Sequence, residues 1–508
     1  MGVQRLTAIR GGRILDWKKR RAEPADILLR GGVIEALGPP GLAAPADAAI
    51  ISAQDRLLVP GLINAHTHSH GGLAKGLVED RVPLEMFLTA SPALNGGRTL
   101  EEKYLSALVS AVEMVRKGCT ACYDLAVELP APTAEGMRAV AQAYHDVGMR
   151  AVVAPMMADR TLYQALPGLL DALPAPLRER AARLATVPHE TSIEACKTIL
   201  AQWPFDRERV RPALAPTIPL HCSDEFLVAC HRLSADFGVG LQTHLAETKA
   251  QAVLALTRYG TSLVAHLERL GILDERASAA HAIWLAADDI QRLANSGTKV
   301  AHNPLSNLRI GSGIAPVRLM LQSGIEVGVG TDATNTSDGQ SMFEATRLAS
   351  YLSRLATPDY GQWLSADEVF ELATVGSARV LGFDGLIGRL APSFKADIVF
   401  LDLAHINYVP LGNPATQLVN GENGAAIDSV MIDGRFVLRE GKILTLDEGK
   451  LRRDAERAFE RLVTANAEAA ALGRSFADVV GTFCLGQARA NFQLHRALHE
   501  HDYRSSSG

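Results

Sequence analysis

The chain has 508 residues, of which 47% are hydrophobic and 21% are charged, and its formal net charge is −5. These values describe a globular protein with a large core, and the length predicts roughly two to four domains, with an α/β barrel alone taking about 250 residues. We find no polybasic run and no stretch of about 18 apolar residues, so we expect neither a nucleic-acid partner nor a membrane span. The six cysteines form no disulfide framework and no signal-peptide core opens the chain, which favours a cytoplasmic location.

Strand patterns occur near both ends of the chain. Short β-prone runs with turns fill residues 5–58, and Gly31-Gly32 between two of these runs indicates a hairpin. Strand patterns return at 385–445. We therefore predict a small β-sandwich domain built from residues 1–58 and 385–445. The charged and amphipathic pattern of residues 446–508 predicts a C-terminal helical extension.

Between these segments, β-prone runs alternate with helical patterns. The predicted strands cover residues 57–68, 120–124, 150–155, 210–216, 239–244, 279–284, 298–302 and 325–331. The predicted helices include residues 100–117, 192–203, 223–237, 248–270, 287–296 and 341–356. Eight strands alternating with helices predict a (β/α)8 TIM-type barrel over residues 59–384. An open doubly wound sheet is the alternative, but no G-x-G-x-x-G motif follows the first strand.

The motif His66-Thr67-His68 ends the first predicted barrel strand. Side chains two residues apart on a strand point to the same side, so the two imidazoles can share one metal ion. The active site of a barrel lies at the C-terminal ends of its strands. Later predicted strands also carry polar side chains at or near those ends: His244, His281, His302 and Asp332.

Residues of these types can bind a metal ion. Three imidazoles and one carboxylate can hold Zn²⁺ or Fe²⁺ and leave a position for water, whose pKa a bound metal lowers toward about 7. Glu247 follows His244 by three residues and is placed for general acid–base work. The alternative for Glu247 is a helix-start carboxylate beside Thr248.

The motifs resemble those of the amidohydrolase superfamily, in the branch of cytosine, guanine and methylthioadenosine/S-adenosylhomocysteine deaminases and of triazine hydrolases such as atrazine chlorohydrolase. The matching segments are PGLINAHTH at 60–68, HLAET at 244–248, AHA at 280–282, AHNPLSN at 301–307 and GTD at 330–332. The similarity runs from about residue 5 to 445. It implies a homodimer or a higher homo-oligomer.

The resemblance also implies roles for individual residues. The metal ligands would be His66, His68, His244 and Asp332. Glu247 would be the proton shuttle to the ring nitrogen or the leaving group. His281 would orient the water and the intermediate without binding the metal, and Asp332 would also accept a proton from the metal-bound water.

The fourth predicted strand bears on the number of metal ions. Relatives with two metals bridge them with a carboxylated lysine at the end of this strand, but residues 210–216 contain no lysine. We therefore expect one divalent ion, Zn²⁺ in first place and Fe²⁺ as the alternative.

The predicted activity is that of a metal-dependent hydrolase or deaminase. Metal-bound hydroxide would attack an amino-bearing carbon of a small N-heterocycle of purine, pyrimidine, pterin or triazine type and release ammonia or an amine. The first alternative is an amide, cyclic amide or urea hydrolase that uses the same site. The second is a non-catalytic barrel scaffold, which the complete set of ligand positions disfavours.

Three further residues are candidates for substrate contacts. His302 and Asn307 stand where relatives have ring-facing or loop-ordering residues. Asn335 lies in the polar loop after Asp332, at residues 333–343, which departs from the loop of nucleoside-deaminating relatives. The alternative for this loop is a solvated turn that caps the helix from Ser341.

Overall fold

The computed structural model of the protein describes residues 6–492, 494 and 496. Its strands are β1 (Leu6–Asp16), β2 (Arg21–Arg30), β3 (Val33–Gly38), β4 (Ala49–Ser52), β5 (Arg56–Pro60), β6 (Leu62–Thr67), β7 (Cys119–Val127), β8 (Arg150–Met157), β9 (Val210–Pro212), β10 (Ala215–Pro216), β11 (Leu241–Leu245), β12 (Ala277–His281), β13 (Lys299–His302), β14 (Val327–Val329), β15 (Ile398–Asp402), β16 (Ile427–Ile432), β17 (Arg435–Arg439) and β18 (Lys442–Ile443).

The α-helices alternate with the strands over the middle of the chain and follow one another at its C-terminal end. They are α1 (Leu84–Asn95), α2 (Leu100–Arg116), α3 (Ala134–Val147), α4 (Leu162–Ala165), α5 (Leu169–Ala172), α6 (Ala175–Arg183), α7 (His189–Ala201), α8 (Asp224–Phe237), α9 (Lys249–Tyr259), α10 (Leu263–Arg269), α11 (Ala287–Ser296), α12 (Pro304–Arg309), α13 (Val317–Gln322), α14 (Met342–Ala356), α15 (Ala366–Glu371), α16 (Ser377–Val380), α17 (Pro414–Thr416), α18 (Glu448–Ala465) and α19 (Ala467–Ala488). Short 3-10 turns cover Ser69–Leu73, Pro219–His221, Tyr360–Gln362 and Ile406–Tyr408, and π-helical turns cover Leu372–Gly376 and Gln417–Gly421.

The two ends of the chain share one sheet. Its strand order is β18-β17-β16-β15-β5-β1-β2-β3, with β4 paired to β1. Strand β15 lies antiparallel to β5, so the late segment of the chain closes against the early one. The predicted hairpin joins β2 to β3 through Gly31 and Gly32, whose φ angles of 57° and 90° suit glycine. This sheet is the flanking β-sandwich part of the predicted fold.

The remaining strands form the barrel. Strands β6, β7, β8 and β10 pair in parallel, as do β11 to β14, and β9 adds to β8. A bridge between Leu214 and Leu241 joins the two groups on one side. On the other side the backbone N–H of Asp332 donates to the carbonyl of His66 at 2.9 Å. Gly330 permits this approach, because a Cβ there would lie 2.8 Å from the His66 backbone nitrogen.

A separate apolar cluster joins residues of several barrel strands. It combines alanines, including Ala65, Ala121, Ala154, Ala213 and Ala301, with larger side chains such as Tyr123. The (β/α)8 barrel with a flanking β-sandwich is therefore confirmed as the fold class. The predicted domain boundaries at residues 58, 384 and 445 stay predictions.

One expected helix is interrupted. The pattern over 248–270 predicted a single helical segment, but the structure has α9 and then α10. The break is at Gly260, where φ is 69° and the glycine N–H closes the last turn of α9 on Leu256. Ser262 then caps α10 by accepting the N–H of Ala265.

The C-terminal part of the described chain is helical. Helices α18 and α19 cover most of residues 448–488, and α19 lies against α1 and α9. The part of the predicted extension beyond residue 496 lies outside the described residues. Within the described part of the chain, the model has no helix with the length and apolar character needed to cross a membrane.

Candidate metal centre and active site

Four predicted ligands converge at the C-terminal ends of three barrel strands. His66 and His68 come from the end of β6, His244 from β11, and Asp332 from the loop after β14. The Nε2 atoms of His68 and His244 are 3.1 Å apart, and Asp332 Oδ1 lies 3.2 Å from His68 Nε2 and 3.6 Å from His66 Nε2. The strands thus bring together residues separated by more than 260 positions.

The Nδ1 atoms of the three histidines each face an oxygen that can only accept a hydrogen bond. His66 Nδ1 lies 2.7 Å from the side-chain oxygen of Gln242. His68 Nδ1 lies 2.8 Å from the carbonyl of Leu125, and His244 Nδ1 lies 2.5 Å from the carbonyl of Thr217. Nδ1 must therefore carry the hydrogen in each ring, which leaves the Nε2 lone pair available for a cation.

The hydrogen-bond partners and the pKa values of the four side chains indicate whether a cation fits between them. His66 Nε2 is buried and has no hydrogen-bond partner among the described residues, as expected of a ligand atom. Burial lowers the pKa of His66 and, together with neighbouring histidine charges, holds that of His244 well below the ordinary range. Burial alone would raise the pKa of Asp332, but the rings of His66 and His68, 3.6 and 3.2 Å from its Oδ1, hold that pKa well below the usual value. For His68, burial lowers the pKa but the contact with Asp332 outweighs it and raises the pKa above the ordinary value. Imidazole nitrogens around a carboxylate are donors that suit a divalent cation.

Two site residues have an unusual backbone. His281 has φ of 70° and Asp332 has φ of 67°, which lie in the left-handed region that non-glycine residues rarely adopt. Ala246 and Ala282, which neighbour Glu247 and His281, also have positive φ, at 47° and 50°. Such conformations cost about 1–3 kcal/mol each and cluster at functional sites.

Glu247 lies beside the ligand cluster. Its carboxylate Oε1 is 3.7 Å from His281 Nδ1, and the side chain is almost fully buried. Burial, with the charges of Asp332 and Glu85, raises the pKa of Glu247 well above the ordinary range. A carboxyl group in this state can hold a proton near neutral pH and donate it, as a general acid must.

His281 is held by Asn307. Asn307 Oδ1 lies 2.8 Å from His281 Nδ1, so the Nε2 atom faces Asp332 Oδ2 at 3.8 Å. Burial lowers the pKa of His281 to about 4. The ring is therefore neutral at physiological pH and presents an unpaired Nε2 atom to the carboxylate side of the cluster.

The other two predicted substrate-binding residues, Asn335 and His302, lie in different parts of the barrel. Asn335 is buried and lies against Gly71 in the turn that follows His68, and within the described part of the chain its side-chain amide has no hydrogen-bond partner. His302 lies on the outer side of β13, where it faces helices α13 and α14. His302 lines a cavity of about 670 Å³ between α13 and α14.

Several positioning residues were not predicted from the sequence. Gln242 holds His66, while Ser306 donates to Asp332 Oδ2 at 2.6 Å and the Ala333 N–H donates to its Oδ1 at 2.7 Å. The sequence did contain a signal for Gln242, because it is a polar residue within an apolar strand, two positions before the predicted ligand His244. The carbonyls of Leu125 and Thr217 carry no side-chain signal.

The chain is similar to known proteins over most of its length. A model of the amidohydrolase family matches residues 57–437, a segment that ends before α18 and α19. A 5'-deoxyadenosine deaminase of Methanothermobacter thermautotrophicus is 33% identical over 424 residues, covering 82% of this chain and 90% of the relative. A 5-methylthioadenosine/S-adenosylhomocysteine deaminase of Desulforudis audaxviator is 33% identical over 442 residues, covering 86% of this chain and 95% of the relative.

Solved structures show the same similarity. An adenosine deaminase from Xanthomonas campestris with bound zinc has a TM-score of 0.79 at 25% identity, covering 90% of this chain and 98% of its own. An atrazine chlorohydrolase from Arthrobacter aurescens in complex with zinc has a TM-score of 0.78 at 27% identity, covering 89% of this chain and 100% of its own.

Proposed function

This chain belongs to the amidohydrolase family, and on that premise we propose that it is a mononuclear aminohydrolase that removes an amino group from an N-heterocycle. The observation that carries the proposal is the convergence of the His66, His68 and His244 rings and the Asp332 carboxylate beside the buried carboxyl group of Glu247. Deaminases among the relatives, which are named for adenosine derivatives, support the reaction type.

We propose His66, His68, His244 and Asp332 as the ligands of one divalent cation. Zn²⁺ is the first choice because similar structures contain zinc, and Fe²⁺ suits the same donor atoms. When bound, the cation supplies Lewis-acid chemistry that lowers the pKa of a water molecule toward about 7. A single ion agrees with the lack of lysine in the fourth predicted strand.

The side chains then move two protons. Asp332, which is ionised, accepts a proton from the attacking water, and Glu247 donates its proton to the ring nitrogen as the carbon becomes tetrahedral. His281 Nε2 orients the attacking oxygen from a position 3.8 Å from Asp332 Oδ2. The proton held by Asp332 passes to the amino group and ammonia leaves, while the hydroxyl of the adduct gives its proton back to Glu247 and becomes the oxo group.

We propose a purine nucleoside of the adenosine type as the first substrate class to test, and an aminated triazine, pterin or pyrimidine as the next. Asn335 is the proposed substrate contact because its buried amide is unpaired beside the turn after His68. His302 and Asn307 are weaker candidates: His302 lines a separate cavity, and Asn307 is engaged with His281.

An ammonia-release screen tests the proposal. The protein is assayed on adenosine, 5'-deoxyadenosine, methylthioadenosine and panels of aminated pyrimidines, pterins and triazines, with and without a chelator. We expect chelator-sensitive ammonia release from one class, restored by Zn²⁺ or Fe²⁺. Acid or amine release from an amide or urea panel, without ammonia from any heterocycle, would favour the amide hydrolase alternative. No chelator-sensitive turnover on any panel would favour a scaffold.

We also propose a homodimer or higher homo-oligomer and a cytoplasmic location. The dimer rests on the family resemblance. The location rests on cysteine use, since Cys119, Cys122, Cys196, Cys222, Cys230 and Cys484 are free and buried. Light scattering during gel filtration measures the assembly, and a monomer at micromolar concentration would contradict it.

A further inference from the structure

The C-terminal helix α19 packs closely on α1. Gly473 lies where the two helix backbones come close together, because a Cβ there would be 2.6 Å from the carbonyl oxygen of Thr89. Phe476, Val480 and Cys484 of α19 are buried. Helix α19 lies outside the segment that matches the family, so this contact belongs to a part of the chain beyond the shared barrel and sheet.

Helix α1 in turn reaches the segment that carries Glu247. Glu85, in the first turn of α1, is 3% exposed and accepts a hydrogen bond from Thr248 Oγ1 at 2.5 Å. Thr248 Oγ1 also caps α9 by accepting the N–H of Gln251 at 3.2 Å. The side-chain oxygen of Gln251 accepts the N–H of Glu247 at 3.0 Å. A continuous series of hydrogen bonds therefore runs from α1 to the backbone of the acid.

The burial of the Glu85 carboxyl group requires a physical explanation. Removing such a group from water costs free energy unless its partners compensate, and burial raises the pKa of Glu85. Thr248 is its one side-chain partner among the described residues. The proposed proton transfers do not use Glu85. Its contacts instead join the α1 segment to the start of α9, on the two loops that follow barrel strands β6 and β11.

We propose that Glu85 is a positioning residue that orients Glu247 through Thr248, and that α19 holds Glu85 in place by packing on α1. The inference rests on the proposed role of Glu247. A displacement of a catalytic group by about 1 Å lowers turnover by roughly a hundredfold, so loss of this support is measurable. Helix α19 then acts on the reaction without touching the substrate.

The first test separates positioning from general stability. Glu85→Leu removes the acceptor, whereas Glu85→Gln keeps an oxygen that can accept the Thr248 hydroxyl. We expect Glu85→Leu to lower kcat by about 10–100-fold, with KM within threefold of the wild-type value and the metal content per chain unchanged. Glu85→Gln should recover most of kcat. A Glu85→Leu variant with wild-type kcat would overturn the proposal, and so would one that raises only KM.

The second test addresses α19 with a matched pair of glycines. Gly473→Val places a side chain against the Thr89 carbonyl, whereas Gly486→Val, on the same helix, meets nothing within 4 Å. Both variants carry the same change of residue type within a helix. We expect Gly473→Val to lower kcat in the direction of Glu85→Leu and Gly486→Val to stay at the wild-type value. Equal kcat for the two variants would remove α19 from the inference.

Hydrogen exchange provides a readout that needs no substrate. In Glu85→Leu the amides of residues 245–251 should exchange at least tenfold faster than in the wild type, while those of β7 and β8 keep their rates. Unchanged exchange at 245–251 would overturn the positioning role. Failure of the ammonia screen with faster exchange in the variant would instead reject the proposed function and leave the structural coupling intact.

Discussion

Gln242→Leu tests how the protein prepares its metal site. Gln242 Oε1 accepts the Nδ1 hydrogen of His66 at 2.7 Å, while the amide nitrogen of Gln242 donates to Ser278 Oγ at 3.0 Å and fixes the orientation of the side chain. Leucine fills similar space without an acceptor. The Nε2 atom of His66 is 3.6 Å from Asp332 Oδ1, so in the variant the hydrogen is better placed on Nε2, facing the carboxylate.

The magnitude follows from this change of tautomer. A cation needs the Nε2 lone pair, so binding would return the hydrogen to Nδ1, which is then buried without an acceptor. That costs about 1–3 kcal/mol. Since about 1.4 kcal/mol is a factor of ten, metal binding should weaken by about 10–100-fold, as for other partners of ligand histidines. Gln242→Glu keeps an acceptor in place and should bind within a few-fold of the wild type.

The assay is competition between the protein and a chromophoric chelator for Zn²⁺, with thermal unfolding of the metal-free proteins as a check on the fold. Zn²⁺ binding by Gln242→Leu within threefold of the wild type would contradict a role of Gln242 in preparing His66. Equal weakening of binding in Gln242→Glu and Gln242→Leu would contradict it as well.

Three further changes have defined outcomes. Glu247→Gln should keep its metal, measured by elemental analysis, and lose turnover by about 10²–10⁴-fold, measured by ammonia release; retained activity would contradict its role. Burial alone would raise the pKa of Asp26, but hydrogen bonds from Arg10 and two backbone amides lower it. The carboxylate therefore stabilises the fold above about pH 4, and this stabilisation is lost as the pH falls through the lower folded pKa. Asp26→Asn should therefore lower the free energy of unfolding in urea by about 1–2 kcal/mol at pH 7 and by less near pH 3; an equal loss at both pH values would contradict this. Arg150→Met leaves the buried carboxylate of Asp397 without its guanidinium partner, now 2.8 Å away, and should lower the free energy of unfolding in urea by about 3–5 kcal/mol. Arg150→Lys should not restore the bidentate contact or the lost stability. Wild-type stability of either variant would contradict a stabilising role for this ion pair.

The ends of several helices were predicted from sequence pattern to within one residue. The predicted helix at 100–117 is α2, which begins after Thr99, where Thr99 and Glu102 form a capping box. The expected helix at 223–237 is α8, which ends where Gly238 adopts a left-handed conformation. These ends depend on contacts within a few residues, which the sequence contains. The break at Gly260 was missed because apolar spacing continues on both sides of it.

Sequence pattern predicted the barrel and the candidate ligands at the ends of its strands. Apolar runs that end in His66, His244 or Asp332 carry this information, because parallel strands bring their C-terminal ends to one edge wherever they lie in the chain. The direction in which each side chain faces, and the groups that hold it there, became visible only in the folded protein. His302 points to the outer side of the barrel, toward α13 and α14. Asn307 contacts His281, and Gln242 contacts His66 from another strand of the barrel. Such contacts join residues far apart in the chain, and the carbonyls of Leu125 and Thr217 that orient two ligands belong to the backbone, which the sequence does not distinguish.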